Sequence, residues 1–330
     1  MKTVRPFPSL RSLTRVLCTL ALAGAVVLSA TAQPPPAAQP GQPPGGARGG
    51  GRGGFAPIVI GPAAPVPAVV AIPRPTDAEI AQANDAVNKL LASDRAAKAL
   101  QAKYPGLITV TPPRFNVAAS YTRSNVRSDQ RHNLFVEQAK KGDIDILFHG
   151  DSITDWWQQA GPQGGKEVFD KYFGGQKIAN FAIAGDTTQG LLWGLKNGEG
   201  EGFSPKAIML MIGTNNTGSS TGPEIAEGVG AVVQELRTRF PASKILLLAI
   251  FPRGAGPTDA NRLKNDEANK IIAKLHDNRN VFFLDIGSKF LDDKGAFQSG
   301  LFRGDNLHPA APGYEVWALA VKDKLAELMK

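Results

Sequence analysis

The chain has 330 residues, 42% apolar and 20% charged, with a formal net charge of +8 and a single cysteine. That cysteine, Cys18, lies near the N-terminus, so the chain beyond it holds no disulfide, thiolate nucleophile or cysteine metal site, and its stability must come from a buried core. Lys2, Arg5, Arg11 and Arg15 carry half of the net charge, and removing them leaves +4 (8 − 4), a balance that implies no polyanion partner.

Those four basic residues lead into a nearly continuous apolar run, Val16 to Leu28, and Ala30-Thr31-Ala32 supplies small residues before Gln33. The pattern predicts a secretory signal peptide over 1–32, cleaved between Ala32 and Gln33, and hence a secreted or periplasmic protein. The apolar run is too short for a membrane span, so none is expected after cleavage. Cys18 stands at the start of this run, not after it, which argues against a lipoprotein. Residues 33–73 are rich in Pro, then Gly, then Pro/Ala/Val, and are expected to form a disordered linker. Its Arg-Gly-Gly pieces contain only Arg48 and Arg52, and no nucleic-acid partner is expected.

Residues 74–130 are expected to form an N-terminal helical and irregular extension. Thr76 and Glu79 make a capping box, and Ile80, Ala83, Val87, Leu90 and Leu91 share a helical face in a helix running to about Tyr104. Residues 107–130 read as irregular, and a short helix over 131–141 opens the main domain, 131–330. Strand-like apolar runs then occur at 144–149, 178–182, 207–212, 244–250 and 281–285. Helical patterns lie at 165–173, 187–197, 223–239, 259–277 and 311–328. Apolar strands alternating with helices predict a three-layer α/β/α sandwich around a five-stranded parallel sheet, of flavodoxin-like type. Such sheets bind ligands at the carboxyl ends of their strands.

Each of the first three strands ends in a polar, glycine-containing motif: Gly150-Asp151-Ser152, Gly185-Asp186-Thr187 and Gly213-Thr214-Asn215-Asn216. Asp305-Asn306-Leu307-His308 precedes the last helix, and a spacing of three places the carboxylate and imidazole within one turn. A serine hydroxyl needs a base to become a nucleophile, which His308 can supply for Ser152 with Asp305 fixing its tautomer. A tetrahedral oxyanion needs preorganised donors, which the N–H groups of Ser152 and Gly185 and the Asn215 amide can provide. Trp156, Asp186 and Asn216 are candidate substrate contacts, although Asp151 and Asp186 suit loop-holding hydrogen bonds better than chemistry. Trp157 suits either the site or the core, His149 is expected to be structural, and His132 and His276 are expected on the surface. Gly218-Ser219-Ser220-Thr221-Gly222 matches a nucleophile elbow, but Ser220 lies eight residues beyond the third strand, where no strand-to-helix turn is expected. No cluster has metal-ligand spacing and no phosphate-loop motif occurs, so no cofactor is expected.

These blocks resemble those of the SGNH (GDSL-type) hydrolases, closest to the catalytic-subunit branch of platelet-activating-factor acetylhydrolase. The resemblance is carried by Gly150-Asp151-Ser152, Asn180-Phe181-Ala182-Ile183-Ala184-Gly185-Asp186-Thr187-Thr188, Leu192-Trp193-Gly194-Leu195-Lys196-Asn197-Gly198-Glu199, Gly213-Thr214-Asn215-Asn216, Phe251-Pro252-Arg253-Gly254 and Asp305-x-x-His308, within about 140–330. Isoleucine, where the family motif has leucine, follows Gly-Asp-Ser. The resemblance implies Ser152 as nucleophile, Asp305 and His308 completing the triad, and Gly185 and Asn215 in the oxyanion hole. The expected function is a secreted serine esterase cleaving short-chain esters of carbohydrate, above all acetyl esters. A lysophospholipase or acetyl-phospholipid esterase is the alternative, an acyltransferase would use the same residues, and a non-catalytic carbohydrate-binding module is the reading of another class. The oligomeric state has no signature in the sequence.

Overall fold

The computed structural model describes residues 58–105, 110 and 113–330, so the expected signal peptide and the first part of the expected linker lie outside the described residues. The chain divides into two units. The described part of the smaller contains helices α1 (Asp77–Ser93) and α2 (Arg95–Lys103). Thr76 and Glu79 close the expected capping box. The helix does not continue to Tyr104: Asp94 leaves the helical conformation and caps α2 by accepting from Ala96 N (2.8 Å) and Ala97 N (3.0 Å). An aspartate makes that break because its carboxylate satisfies two orphan N–H groups at a new helix start.

The larger unit comprises 56–72 and 115–330. Its elements are α3 (Asp129–Lys141), β1 (Ile146–Gly150), α4 (Ser152–Asp155), α5 (Lys166–Phe173), β2 (Ile178–Asn180), α6 (Thr188–Gly194), β3 (Ala207–Met211), α7 (Gly222–Arg239), β4 (Lys244–Leu248), α8 (Ala260–Ile272), β5 (Val281–Leu284) and α9 (Ala311–Leu328). The five strands are all parallel, in the order β2-β1-β3-β4-β5. Alternate strand residues feed two cores. Leu147, Ile208, Leu210, Ile245 and Leu247 pack with apolar residues of α3, α6, α7 and α8. Ile146, Phe148, Met209, Leu246 and Leu248 pack with those of α5 and α9. This is the expected three-layer sandwich. β1 lies between β2 and β3, which brings the three glycine-containing motifs side by side at one sheet edge.

Two boundaries fall elsewhere than expected. Residues 58–72 form a strap on the catalytic unit, whereas the linker was expected to run to 73. Ala64 N donates to Ala119 O (2.9 Å), Tyr121 N to Pro62 O (2.9 Å) and Ile72 N to Glu227 Oε1 (2.7 Å). Val70 is buried over α7, where a Cβ on Gly230 would stand 2.4 Å from Val70 Cγ2. Proline presets an extended backbone, and the valine and alanine side chains fit a groove left by small helix residues, so low complexity does not prevent packing here. Residues 115–130 likewise belong to the catalytic unit, not to a separate extension. Asn116 Nδ2 donates to Glu224 O and Glu227 Oε2, both at 2.9 Å.

Candidate active site

β1 delivers Ser152 to the first turn of α4. Gly150 is required at the strand end, since a Cβ there would stand 2.3 Å from Met211 O and 2.6 Å from Thr154 Oγ1. Asp151 caps the short helix by accepting from Ile153 N (3.1 Å). Tyr314 of α9 fixes the same turn by donating its hydroxyl to Ile153 O at 2.8 Å. Ser152 is 4% exposed.

The loop before α9 brings the imidazole to the serine. Ser152 Oγ lies 2.8 Å from His308 Nε2, and His308 Nδ1 lies 2.6 Å from Asp305 Oδ2. The other carboxylate oxygen of Asp305 accepts from Leu307 N and His308 N, both at 3.0 Å, so side chain and backbone share one turn. Asn306 takes a left-handed φ of 52° and its carbonyl accepts from Gly254 N at 2.8 Å, while Arg303 N donates to His308 O at 2.8 Å. Burial lowers the His308 pKa below 6.5, Arg303 and Arg253 add to that effect, and Asp305 opposes it. With Nδ1–H given to the carboxylate, Nε2 is the acceptor for the serine proton, the tautomer that general-base chemistry needs.

On the other side of Ser152, Gly185 leaves β2 with φ 82° and is exposed. Asn215 leaves β3 after Gly213, whose φ of 133° and contact with Ile250, 2.7 Å from an added Cβ, exclude a side chain. Asn215 Nδ2 donates one hydrogen to Asp186 O at 2.8 Å, leaving its second hydrogen for another acceptor. The Ser152 N–H belongs to the orphan donors of a helix start. All five residues expected for the nucleophile, base, acid and oxyanion donors therefore gather at one sheet edge.

The expected substrate contacts fare differently. Asp186 is fully buried: its oxygens accept from Ser124 Oγ (2.7 Å) and Arg127 Nε (2.9 Å), so it holds the Gly185 loop from below. Asn216, 1% exposed, accepts from Thr188 N (3.1 Å) and donates to Gln189 Oε1 (2.8 Å), stapling α6 to the β3 loop. A buried carboxylate or amide must be hydrogen-bonded, and these partners consume both groups, so neither faces substrate. Trp156 does border the site. Its ring lies 4.0 Å from the His308 ring at 39°, and the Arg303 guanidinium sits 3.8 Å from the indole centroid. Trp157 is wholly core, packed on Tyr314 and Trp317. Ser220 is buried in the loop before α7, with its N–H bonded to Asn216 O at 2.9 Å. His149, expected to be structural, is fully buried. His132, expected on the surface, instead bonds buried Glu199 through Nδ1 at 2.7 Å.

Sequence reasoning missed three residues. Val126 lies over Gly185, with Cγ1 3.1 Å from the position of an added Cβ. Ser124 and Arg127 hold Asp186. No periodic pattern marks 115–128, so nothing there signalled proximity to the site. Among the described residues, no group of three or more His, Cys, Asp or Glu could hold a metal ion.

A family model, the GDSL-like Lipase/Acylhydrolase family, matches residues 148–316, which is 169 of 330 (316 − 148 + 1). Platelet-activating factor acetylhydrolase IB subunit alpha2 of Rattus norvegicus is 35% identical over 219 residues, covering 64% of this chain and 91% of that protein. The alpha1 subunit of Bos taurus is 32% identical over 199 residues, covering 60% and 82%. The solved structure of a GDSL-like lipase from Bacteroides thetaiotaomicron aligns with a TM-score of 0.47 at 16% identity, over 59% of this chain and 97% of that one. By the extent of the family match and the coverage of these relatives, the chain belongs to the GDSL-like lipase/acylhydrolase (SGNH) family and is a carboxylic ester hydrolase.

Proposed function

We propose that the protein is an exported serine esterase that removes short acyl groups, above all acetyl, from carbohydrate, with Ser152 as nucleophile. The observation that carries the mechanism is the unbroken relay Ser152 Oγ to His308 Nε2 (2.8 Å) and His308 Nδ1 to Asp305 Oδ2 (2.6 Å). His308 takes the serine proton as Oγ bonds to the acyl carbon. The carbonyl π electrons move to oxygen, which the Ser152 and Gly185 N–H groups and the free Asn215 hydrogen stabilise. The tetrahedral adduct collapses, His308 gives its proton to the departing alkoxide, and an acyl-serine remains. Water, deprotonated by His308, repeats the cycle and releases the acid.

The acetyl group is supported by the relatives, which are named as acetylhydrolases. The carbohydrate alcohol is supported by the export signal read in residues 1–32. An acetyl-phospholipid is the second reading, favoured by the relatives' platelet-activating-factor name. The deciding experiment compares p-nitrophenyl esters of increasing chain length, acetylated xylan, a lysophospholipid and an acetyl-phospholipid. Acetate release from xylan exceeding hydrolysis of either lipid is expected, and lipid hydrolysis alone overturns the carbohydrate reading. Ser152→Ala should abolish turnover and fluorophosphonate labelling. Retained turnover in that variant, lost in Ser220→Ala, would remove Ser152 from the mechanism. Product analysis with an added sugar acceptor separates hydrolysis from acyl transfer.

A further inference from the structure

We propose that Arg127, with Ser124, is a positioning residue of the oxyanion hole, acting through Asp186 on Gly185 and Asn215. This rests on the reading of those two residues as oxyanion donors.

Asp186 stands where the two donors meet. It follows Gly185 directly, and its carbonyl is the acceptor that holds the Asn215 amide at 2.8 Å. Any rotation of Asp186 therefore turns the Gly185 peptide and releases Asn215 together. Its N–H closes a turn onto Ile183 O at 3.0 Å, and its side chain is anchored below. Ser124 Oγ donates to Oδ1 at 2.7 Å, Arg127 Nε donates to Oδ2 at 2.9 Å, and Arg127 Nη2 lies 2.8 Å from the same oxygen without hydrogen-bond alignment. Arg127 is held in turn by Glu199, whose two oxygens each accept from Nη1 at 2.6 Å, and His132 Nδ1 lies 2.7 Å from Glu199 Oε1. The Arg127, Asp186 and Glu199 side chains are 0% exposed. Val126, between the two anchors in sequence, packs over Gly185 itself.

The helix behind this cluster is cut to admit it. A Cβ on Gly190 of α6 would stand 2.1 Å from Asp186 Oδ1 and 2.5 Å from Ser124 Oγ. One turn on, a Cβ on Gly194 would stand 2.3 Å from Arg127 Nη1 and 2.5 Å from Glu199 Oε2. A glycine inside a helix costs roughly 0.5–1 kcal/mol relative to alanine, and α6 carries Gly190 in its first turn and Gly194 at its end. A buried ion cluster contributes little net stability over well-packed apolar residues of the same volume. Stability alone therefore gives no reason for this arrangement. Fixing a buried carboxylate whose own backbone aims two oxyanion donors does.

The test uses Ser124→Ala, which removes one hydrogen bond and no charge, and Arg127→Lys, which keeps the charge but loses the planar fork. Turnover of p-nitrophenyl acetate should fall ~10- to 100-fold in kcat, as for a misplacement of catalytic groups on the order of 1 Å. KM should stay within about threefold, since ground-state binding does not use the oxyanion donors. Circular dichroism and thermal melts establish the folded fraction, and kcat is corrected for it. Each variant is then combined with Asn215→Ala. If Ser124 acts through the donors, its factor should shrink to less than about threefold in that background, since coupled residues are non-additive. Undiminished, additive losses, or wild-type kcat in folded Ser124→Ala, overturn the proposal. Should Arg127→Lys fail to fold, the Ser124 cycle decides alone. Fluorophosphonate labelling of Ser152 keeps the two questions apart: Ser152 labelled in the wild type with no effect of Ser124→Ala sinks the positioning role only, whereas an unlabelled, active wild type sinks the nucleophile reading itself.

Discussion

Asp151 offers a stability test that needs no substrate. It is 1% exposed, and burial pushes its carboxyl up to about 7; Asp186 adds to the effect, while the Ile153 N–H bond and Arg253 oppose it. In the unfolded chain the group returns to its ordinary value of 3.8. The folded state thus holds the proton more tightly than the unfolded one. The contribution to stability is full below the unfolded value, is lost as pH rises, and levels off above the folded value. The interval, about 3 units at about 1.4 kcal/mol each, sets an upper bound of roughly 4 kcal/mol. Asp151→Asn keeps an oxygen to accept from Ile153 N and cannot ionise. Urea unfolding at pH 4.5 should place variant and wild type within about 1 kcal/mol, and at pH 8 the variant should be more stable by roughly 2–4 kcal/mol. A stability difference that does not change between those pH values would mean that the folded carboxyl titrates normally, and would refute the burial argument.

Three further outcomes follow from the same geometry. His308 must be neutral to accept the serine proton, and its lowered pKa places the acid limb of kcat/KM below pH 6.5. Arg303→Gln removes one charge that lowers it, so the limb should move to higher pH in a pH–rate profile, and an unmoved limb contradicts the assignment. Asn215→Ala should reduce kcat ~10²- to 10³-fold with little change in KM, measured by initial rates on p-nitrophenyl acetate. Val70→Ala removes two buried methyl groups from the strap and should cost about 1–2 kcal/mol in denaturant unfolding; an unchanged midpoint would mean that residues 58–72 do not stabilise the catalytic unit.

The sheet was legible because each strand is a short apolar run, with β1 and β3 buried along their whole length. Its loops were legible because a polar, glycine-bearing motif follows each of β1, β2 and β3. Asp305 and His308 stood out by their spacing of three. Asn216 was misjudged as a substrate contact, and Asp186 was read both as a substrate contact and as a loop-holding residue, for a physical reason: beside a proposed oxyanion donor a polar residue suits substrate or scaffold, and only the partner decides. For Asp186 those partners are Ser124 and Arg127, 62 and 59 positions earlier in the chain. Ser124-Asn125-Val126-Arg127-Ser128 has turn composition and no period, and nothing local shows that its arginine is buried. The strap was misjudged by composition, since proline and alanine look unfit for a core until the glycines of α7 provide the groove.

The two halves of the site are preorganised by different means, and this bears on how the site tolerates change. The acid–base half is held by its own backbone: the Phe302–Pro309 bridge, Arg303 N to His308 O, and Gly254 N to Asn306 O. Trp156 closes over the imidazole from the α4 side. The half proposed to hold the oxyanion is closed locally by Asp186 N to Ile183 O and Asn216 N to Gly213 O, both at 3.0 Å, and takes a further anchor from outside its own loops. Its glycine sits at φ 82° in an exposed turn, and its fixed point is a side chain gripped by a segment that precedes β1 in sequence. Electrostatic stabilisation of an oxyanion depends on donors that need no reorganisation when charge develops. A loop that exposes its donors to substrate can meet that condition only if it is anchored on its buried side. The segment 115–128 supplies that anchor, so a minimal catalytic domain beginning at residue 131 would retain Ser152, His308 and Asp305 yet lack the groups that hold Asp186 in place.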